Sequence, residues 1–198
     1  MAKKGVFVYI DGENLRGSAV ACGYLSVDYV KLYNWLKTSK LATRVYLYAP
    51  FVAGDSSAIA DLDKLGRLGY IVRRKQIMQY PPEFRTHDLK CPDCNKKTRH
   101  TIKRNGRSKG NCDSELTLDV INDGVRAKYS SILVFSGDGD FARMHEYVAE
   151  TMKKPVTIYS PMKGLPGKRT STAVKTMHNN GIITLESLEG ILANFAVK

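Results

Sequence analysis

The sequence lacks any apolar run close to the roughly 20 residues that a membrane-spanning helix needs, so we expect no membrane partner. Residues 1–4 lead straight into a predicted strand without the apolar segment of a signal peptide, which predicts a cytoplasmic protein. Only four cysteines occur among 198 residues. In a reducing compartment they favour metal binding or burial over a disulfide framework. Internal repeats and low-complexity tracts are also absent, and we expect a single domain over residues 1–198.

Acidic side chains are scarce as well, with 19 Asp and Glu against 31 Lys and Arg and a net charge of +12. Residues 85–110 carry +7 and residues 153–178 carry +6, so the rest of the chain carries −1. A single run of charge is equally compatible with a solvated face. Two basic segments on a chain whose acids gather in a few motifs predict a polyanionic partner, and therefore nucleic acid.

Apolar strands alternate with helices along the chain. The predicted strands are 6–11, 44–49, 70–76, 131–136, 155–160 and 182–185. Helical periodicity occurs around 27–36 and over 56–68, 114–127, 141–152 and 187–195. Repeated strand-helix order predicts a mainly parallel sheet flanked by helices. Residues 78–111 interrupt this order as a basic, cysteine-containing insertion, and a connection of that length is usually functional or separately stabilised.

Three acidic segments are expected to meet. Asp11 ends the first predicted strand, and Asp138 and Asp140 follow the strand 131–136. In an open parallel sheet, ligands collect at the carboxyl ends of the strands. Asp113 is an expected helix N-cap, and its helix runs antiparallel to the strand that follows, which places Asp113 near the same edge. The simpler alternative, for any one of these acids, is a helix cap.

The helix that begins near Asp113 carries two further acids. Glu115 and Asp119, four residues apart, share one face. Asp119 lies six residues after Asp113, or about 9 Å along the helix axis. Spacing alone leaves open which of the two faces a metal.

At these residues the chain resembles the NYN domain family, a branch of the PIN-like nuclease superfamily, and most closely its LabA-like members. The shared motifs are YIDGENL at 9–15, KGNCD at 109–113 with a second Asp at position 119, and SGDGDF at 136–141. Gly139 replaces the usual Ser, and Cys112 replaces the usual Val. The motifs follow the family's order and spacing over nearly the whole chain. The resemblance implies a Rossmann-like, three-layer α/β/α fold.

The resemblance also implies a ribonuclease site that depends on Mg²⁺ or Mn²⁺. The implied metal ligands are Asp11, Asp113, Asp119 and Asp138, with Asp140 and Asn14 in support. Hard divalent cations prefer carboxylate oxygens and keep several waters. Such a metal lowers the pKa of a bound water and stabilises charge on phosphate. No serine, cysteine or histidine arrangement in the sequence is better placed to supply a nucleophile.

Cys91 and Cys94 form a C-x2-C pair inside the basic insertion. This spacing presents two thiolates to one tetrahedral Zn²⁺, which needs two more ligands. The nearest candidates are His87 and His100, while Cys112 is expected to be buried and unliganded. The alternative is a turn with free thiols in a basic loop.

Residues after the strand 155–160 are candidates for binding substrate phosphates, namely Lys168, Arg169 and Ser171. The alternative there is a surface turn. For the whole chain, the alternatives to a nuclease are a catalytically weak or inactive NYN module that binds RNA or protein, and a phosphatase of small esters. The sequence leaves open whether the protein is a monomer or a homodimer.

Overall fold

A computed structural model of the protein describes residues 5–104, 107–126, 128–162 and 170–198. In chain order its strands are β1 (Gly5–Asp11), β2 (Ser26–Val27), β3 (Ala42–Val52), β4 (Ile71–Tyr80), β5 (Glu83–Lys90), β6 (Lys97–Arg104), β7 (Arg107–Lys109), β8 (Tyr129–Phe135), β9 (Val156–Ser160), β10 (Thr184–Ser187) and β11 (Ala196–Val197). The main sheet has the order β10-β9-β8-β1-β3-β4-β7. Its first six strands are parallel, and β7 is antiparallel to β4. The predicted parallel sheet is confirmed.

Helices cover both faces of this sheet. They are α1 (Gly12–Ala21), α2 (Tyr29–Ser39), α3 (Ser56–Leu68), α4 (Asp113–Val125), α5 (Ala142–Glu146) and α6 (Thr172–Asn179). Apolar residues of α4, α5 and α6 pack on one face, and those of α1, α2 and α3 pack on the other. The result is the three-layer α/β/α architecture that the sequence predicts.

The central strand β1 shows why this sequence forms a buried parallel strand. Val8, Tyr9 and Ile10 are all fully buried. Phe7 and Tyr9 enter the core beneath α4 to α6, while Val8 and Ile10 enter the opposite core. A strand covered on both faces reads as a continuous apolar run instead of an alternating one. Burial of these side chains fixes β1 in the sheet, and Asp11 therefore lies at the carboxyl end of a central strand.

The structure differs from the prediction in several local elements. Helices α1 and α6 are additional, and the predicted helix 141–152 comprises a 3-10 turn (Gly139–Phe141), α5 and a π-helical turn (Tyr147–Thr151). The predicted helix 187–195 is wrong. There the chain forms only the 3-10 turn Leu192–Asn194. Leu188, Leu192 and Phe195 are buried at helical spacing, but the backbone N–H of Leu188 donates to Ser160 on β9 and so continues the sheet edge.

The insertion at 78–111 contains regular structure. Strand β4 extends to Tyr80, β7 returns antiparallel beside it, and β5 and β6 form a separate hairpin between them. Every residue of β5 is exposed. Neither face of the hairpin is buried over residues 83–90 and 97–103, so its strands lack the alternation of apolar and polar residues that marks a half-buried strand.

The helices of the described residues include none long and apolar enough to cross a bilayer.

Candidate metal centre

The carboxyl ends of β1 and β8 lie side by side. Ile10 pairs with Phe135 in the parallel register, so Asp11 and Ser136 leave the sheet at the same edge. The helix after β1 packs on one face and the helix after β8 on the other. Where the helices that follow two adjacent strands pack on opposite faces of the sheet, a crevice opens at the carboxyl ends of those strands. Doubly wound sheets bind their ligands there.

Asp11 is held by two hydrogen bonds. Its Oδ1 accepts the backbone N–H of Asn14 at 3.1 Å, which caps α1, and its Oδ2 accepts the hydroxyl of Ser136 at 3.3 Å. Burial, together with the negative charges of Asp113 and Asp138, nevertheless raises the pKa of Asp11 to about 6. A carboxylate with a raised pKa lacks a sufficient positive partner.

The turn after β8 is braced against α1 and α6. Asp138 Oδ1 accepts the backbone N–H of Asp140 at 3.0 Å, and the backbone N–H of Asp138 donates to Ser136 Oγ at 3.3 Å. Asn14 Oδ1 accepts the backbone N–H of Gly137 at 3.4 Å. A side chain at Gly137 would overlap the hydroxyl of Ser160. Asp138 therefore caps a short turn with one of its carboxylate oxygens.

Asp113 is the first residue of α4. The predicted N-cap role is wrong, because Cys112 occupies the cap position and makes no side-chain cap bond. The side-chain amide of Asn111 instead donates to the carboxylate of Asp113. Burial and then the charges of Asp138 and Asp140 raise the pKa of Asp113. Asp11, Asp113, Asp138 and Asp140 thus form one electrostatically coupled group, which we name the acidic centre.

Two further acids of α4, Asp119 and Glu115, bind cations of β4. Asp119 accepts Arg73 Nε at 2.7 Å and the hydroxyl of Tyr48 at 3.0 Å, and Glu115 pairs with Lys75 Nζ at 2.9 Å. The hydrogen bond from Lys75 lowers the pKa of Glu115. Both acids that the sequence left as alternatives therefore have a cationic partner on the neighbouring strand.

Lys75 stands beside the acidic centre. The charge of Lys75 partly offsets the raised pKa of Asp113, and the Lys75 side chain is 39% exposed. Among the ranges given above, no group of three or more His, Cys, Asp or Glu side chains is arranged so that it could hold a metal ion. The acidic centre is thus a loose group of like charges that raise one another's pKa values.

Of the predicted phosphate-binding residues, Ser171 lies near this edge. Its backbone N–H donates to the carbonyl of Gly137 at 2.9 Å, and its hydroxyl caps α6 by accepting from Val174. Lys168 and Arg169 lie outside the described residues.

The candidate zinc ligands divide into two places. Cys91 and Cys94 lie at the tip of the β5–β6 hairpin. His87 and His100 face each other across the strands, four residues from Cys91 along β5. At about 3.3 Å per residue that separation is roughly 13 Å. Cys112 is buried at the start of α4, where burial raises its pKa to about 11. The structure places the two cysteines in one turn, and the two histidines lie further back along the hairpin.

Two residues near the centre were not predicted from the sequence. Ser136 joins Asp11 to the Asp138 turn, and Lys75 stands between Glu115 and Asp113. Ser136 opens the SGDGDF motif, so its position beside Asp138 was a usable signal. Lys75 comes from the edge-proximal strand β4 and carried no local signal.

Comparison with known proteins identifies both a family and a fold. A family model described as the NYN domain matches residues 5–180. No curated protein matches the chain. A solved structure of a protein of unknown function from Vibrio parahaemolyticus is similar, with a TM-score of 0.63 and 20% sequence identity over 98% of this chain and 97% of that chain. At this identity the likeness supports the fold alone.

Proposed function

The chain belongs to the NYN domain family of the PIN-like nuclease superfamily, and from this premise we propose that it is a ribonuclease that depends on Mg²⁺ or Mn²⁺. The observation that carries the proposal is the acidic centre. Three separate segments bring their carboxylates to one crevice, and burial and mutual repulsion raise the pKa values of Asp11 and Asp113. By contrast, two other acids of α4 have a cationic partner, since Asp119 pairs with Arg73 and Glu115 pairs with Lys75.

Carboxylate oxygens are the donors that a hard divalent cation prefers. Asp11, Asp113 and Asp138 would hold it, and Asp140 and Asn14 support them. A cation bound there would supply charge neutralisation and a lowered pKa for an attacking water. Asp119 is a ligand of the set implied by the family, and here both of its carboxylate oxygens accept hydrogen bonds from Arg73. We therefore assign Asp119 to positioning α4 against β4.

The protein's own residues would orient the reaction. Ser136 and Asn14 fix the Asp11 carboxylate and the Asp138 turn through hydrogen bonds, which limits reorganisation when charge develops on phosphate. Lys75 is exposed beside Asp113 and is suited to contact a phosphate oxygen. Lys168, Arg169 and Ser171 are proposed to bind a neighbouring phosphate.

The hairpin supports a polymeric substrate. Alternate residues of a strand point to opposite faces, so Phe84 and Lys90 share a face with Lys97, Arg99 and Lys103 across the pairing. Asp88 on that face pairs with Arg99 at 2.9 Å, and the ammonium of Lys103 lies 5.8 Å from the ring centre of Phe84. An exposed aromatic ring among cations is suited to single-stranded nucleic acid.

The test is incubation of the protein with labelled single-stranded RNA, structured RNA and DNA, with Mn²⁺ or with EDTA, alongside a small phosphate monoester. We expect RNA to be cleaved only with the metal. Binding that tightens at low salt without cleavage would replace the proposal with an RNA-binding module. Faster hydrolysis of the monoester than of RNA would replace it with a phosphatase.

The pKa of Asp11 predicts how cleavage depends on pH. Near a pKa of about 6, only about a tenth of Asp11 is ionised at pH 5. With limiting Mn²⁺ the rate should rise about tenfold from pH 5 to 7 and then level off. Protons and metal compete for the Asp11 carboxylate, so more Mn²⁺ should move the midpoint to lower pH. A flat profile, or a midpoint that does not respond to Mn²⁺, would contradict this assignment.

A further inference from the structure

The tip of the β5–β6 hairpin carries a feature that the acidic centre does not use. The strands pair in register from Glu83 opposite Arg104 to Lys90 opposite Lys97. Cys91 and Cys94 lie in the turn beyond the last pair. Because all of β5 is exposed, the hairpin projects from the domain and presents both cysteines at its far end.

The turn holds these cysteines in a specific geometry. The backbone N–H of Cys91 donates to the carbonyl of Lys96, and the N–H of Asn95 donates to the carbonyl of Cys91, each at 3.0 Å. Asn95 has the left-handed φ of 56° that closes the turn. Interactions with the backbone N–H groups of Cys94 and Asp93, and then with the Cys94 side chain, lower the pKa of the Cys91 thiol. The two sulfurs are therefore adjacent, and backbone donors are already directed at a thiolate, as in a metal knuckle.

The knuckle supplies only half of a structural zinc site. Such a site is closed by four ligands. His87 and His100 oppose each other well back along the strands. Within the described residues no third His, Cys, Asp or Glu joins the pair at ligand distance. Two ligands from one chain require two from another molecule.

We propose that Cys91 and Cys94 bind a Zn²⁺ ion together with the same two cysteines of a second copy of this chain. Two identical half-sites related by a twofold axis complete a tetrahedral set of four thiolates. The projecting hairpin lets two tips meet without contact between the bodies of the two domains. The knuckle is flanked by Lys90, Lys96 and Lys97. A Zn²⁺ ion with four thiolates carries a net charge of −2, which offsets the repulsion between these lysines.

The test measures zinc content and mass of the full chain after zinc-replete, reducing purification. We expect about 0.5 Zn²⁺ per chain and a dimer by light scattering, with conversion to monomer when a chelator removes the metal. Zinc bound at the acidic centre is measured in the Cys91→Ser/Cys94→Ser variant and subtracted. Cobalt in place of zinc should give a thiolate charge-transfer band with the intensity of four thiolates per metal. Either single serine variant should be monomeric.

Two control variants separate this site from its alternatives. Cys22→Ser, at a cysteine distant in sequence, should keep both the zinc and the dimer. His87→Ala/His100→Ala should keep them as well. Loss of zinc in the histidine variant, or one zinc per monomer, would overturn the shared site in favour of a site within one chain. A zinc-free protein, or a mass two hydrogens lower from a Cys91–Cys94 disulfide, would also overturn it. None of these outcomes bears on RNA cleavage.

Discussion

We expect Asp11→Asn and Asp138→Asn each to reduce Mn²⁺-dependent RNA cleavage by about a thousandfold, which corresponds to a loss of about 4 kcal/mol of transition-state stabilisation. The reason is the place of these two carboxylates at adjacent strand ends, joined through Ser136. Asparagine keeps the shape and the cap but removes the charge that holds a divalent cation. The measurement is single-turnover cleavage of labelled single-stranded RNA.

The same Asp11→Asn change should stabilise the metal-free protein. The raised pKa of about 6 means that the folded state binds a proton more tightly than the unfolded chain does. Asp11 therefore favours the folded state when protonated, and this contribution is lost as the pH rises from about 4 through 6. Removing the charge should raise the free energy of unfolding at pH 7.5 in EDTA by about 1–2 kcal/mol. An inactive variant that is more stable is the pattern of a functional acid.

The control is Asp61→Asn on the exposed face of α3, where Asp61 forms an ion pair with Lys64 at 2.8 Å. This variant should change neither the rate of RNA cleavage nor the free energy of unfolding measurably. Cleavage that survives both Asp11→Asn and Asp138→Asn would point to a contaminating nuclease and refute the assignment.

We expect Asp123→Ala to lower the free energy of unfolding by about 3 kcal/mol. Asp123 is 4% exposed and accepts the hydroxyls of Tyr46 at 2.6 Å and Tyr9 at 3.2 Å, as well as Lys128 Nζ at 2.9 Å. Alanine would leave two buried hydroxyls without an acceptor. In a chain of this length the melting temperature should fall by roughly 6–12 °C.

The pKa of Asp123 gives the pH dependence of this contribution. Burial opposes ionisation, but the hydrogen bonds from Tyr46, Lys128 and Tyr9 prevail and lower the pKa. Asp123 thus contributes stability above the ordinary carboxyl value of 3.8, and the contribution is lost as the pH falls through the lower pKa of the folded state. The destabilisation by Asp123→Ala should therefore shrink in acid.

Removing the partners as well should recover much of the loss. In Asp123→Ala/Tyr9→Phe/Tyr46→Phe no buried hydroxyl remains from this network, so the triple variant should be more stable than Asp123→Ala alone. Asp61→Ala serves as the exposed control, with a change within about 0.5 kcal/mol. Equal stability of the Asp123→Ala and Asp61→Ala variants would show that the buried network contributes little.

Local patterns were sufficient to predict the sheet and the meeting of three acidic segments. Apolar runs such as the one before Asp11 mark buried strands, and parallel order brings their carboxyl ends to one edge. The helix α1 escaped prediction because Gly12–Ala21 is rich in small and polar residues, with only Leu15 and Ala19 as buried apolar positions. The hairpin escaped because it buries neither face.

The residues that pair with the acids of α4 lie far away in the sequence, so the local pattern of α4 could not predict them. Asp119 and Glu115 share a face, yet the cations that bind them lie 46 and 40 residues earlier in the chain. No spacing rule within α4 predicts those pairs. The zinc ligands predicted from the sequence, Cys91 and Cys94 with His87 and His100, also depend on strand pairing that local spacing does not reveal. The register of β5 and β6 places the two histidines opposite each other, away from the cysteines.

The central claim is tested most directly by crystals soaked with Mn²⁺ and measured at a wavelength where manganese scatters anomalously. We predict an anomalous peak in the crevice between Asp11, Asp113 and Asp138, with at least one carboxylate oxygen at a direct coordination distance of about 2.0–2.6 Å. Arg73 should still be paired with Asp119. A crevice without a peak at saturating Mn²⁺, or a peak on Asp119 and Glu115 with Arg73 and Lys75 displaced, would contradict the account.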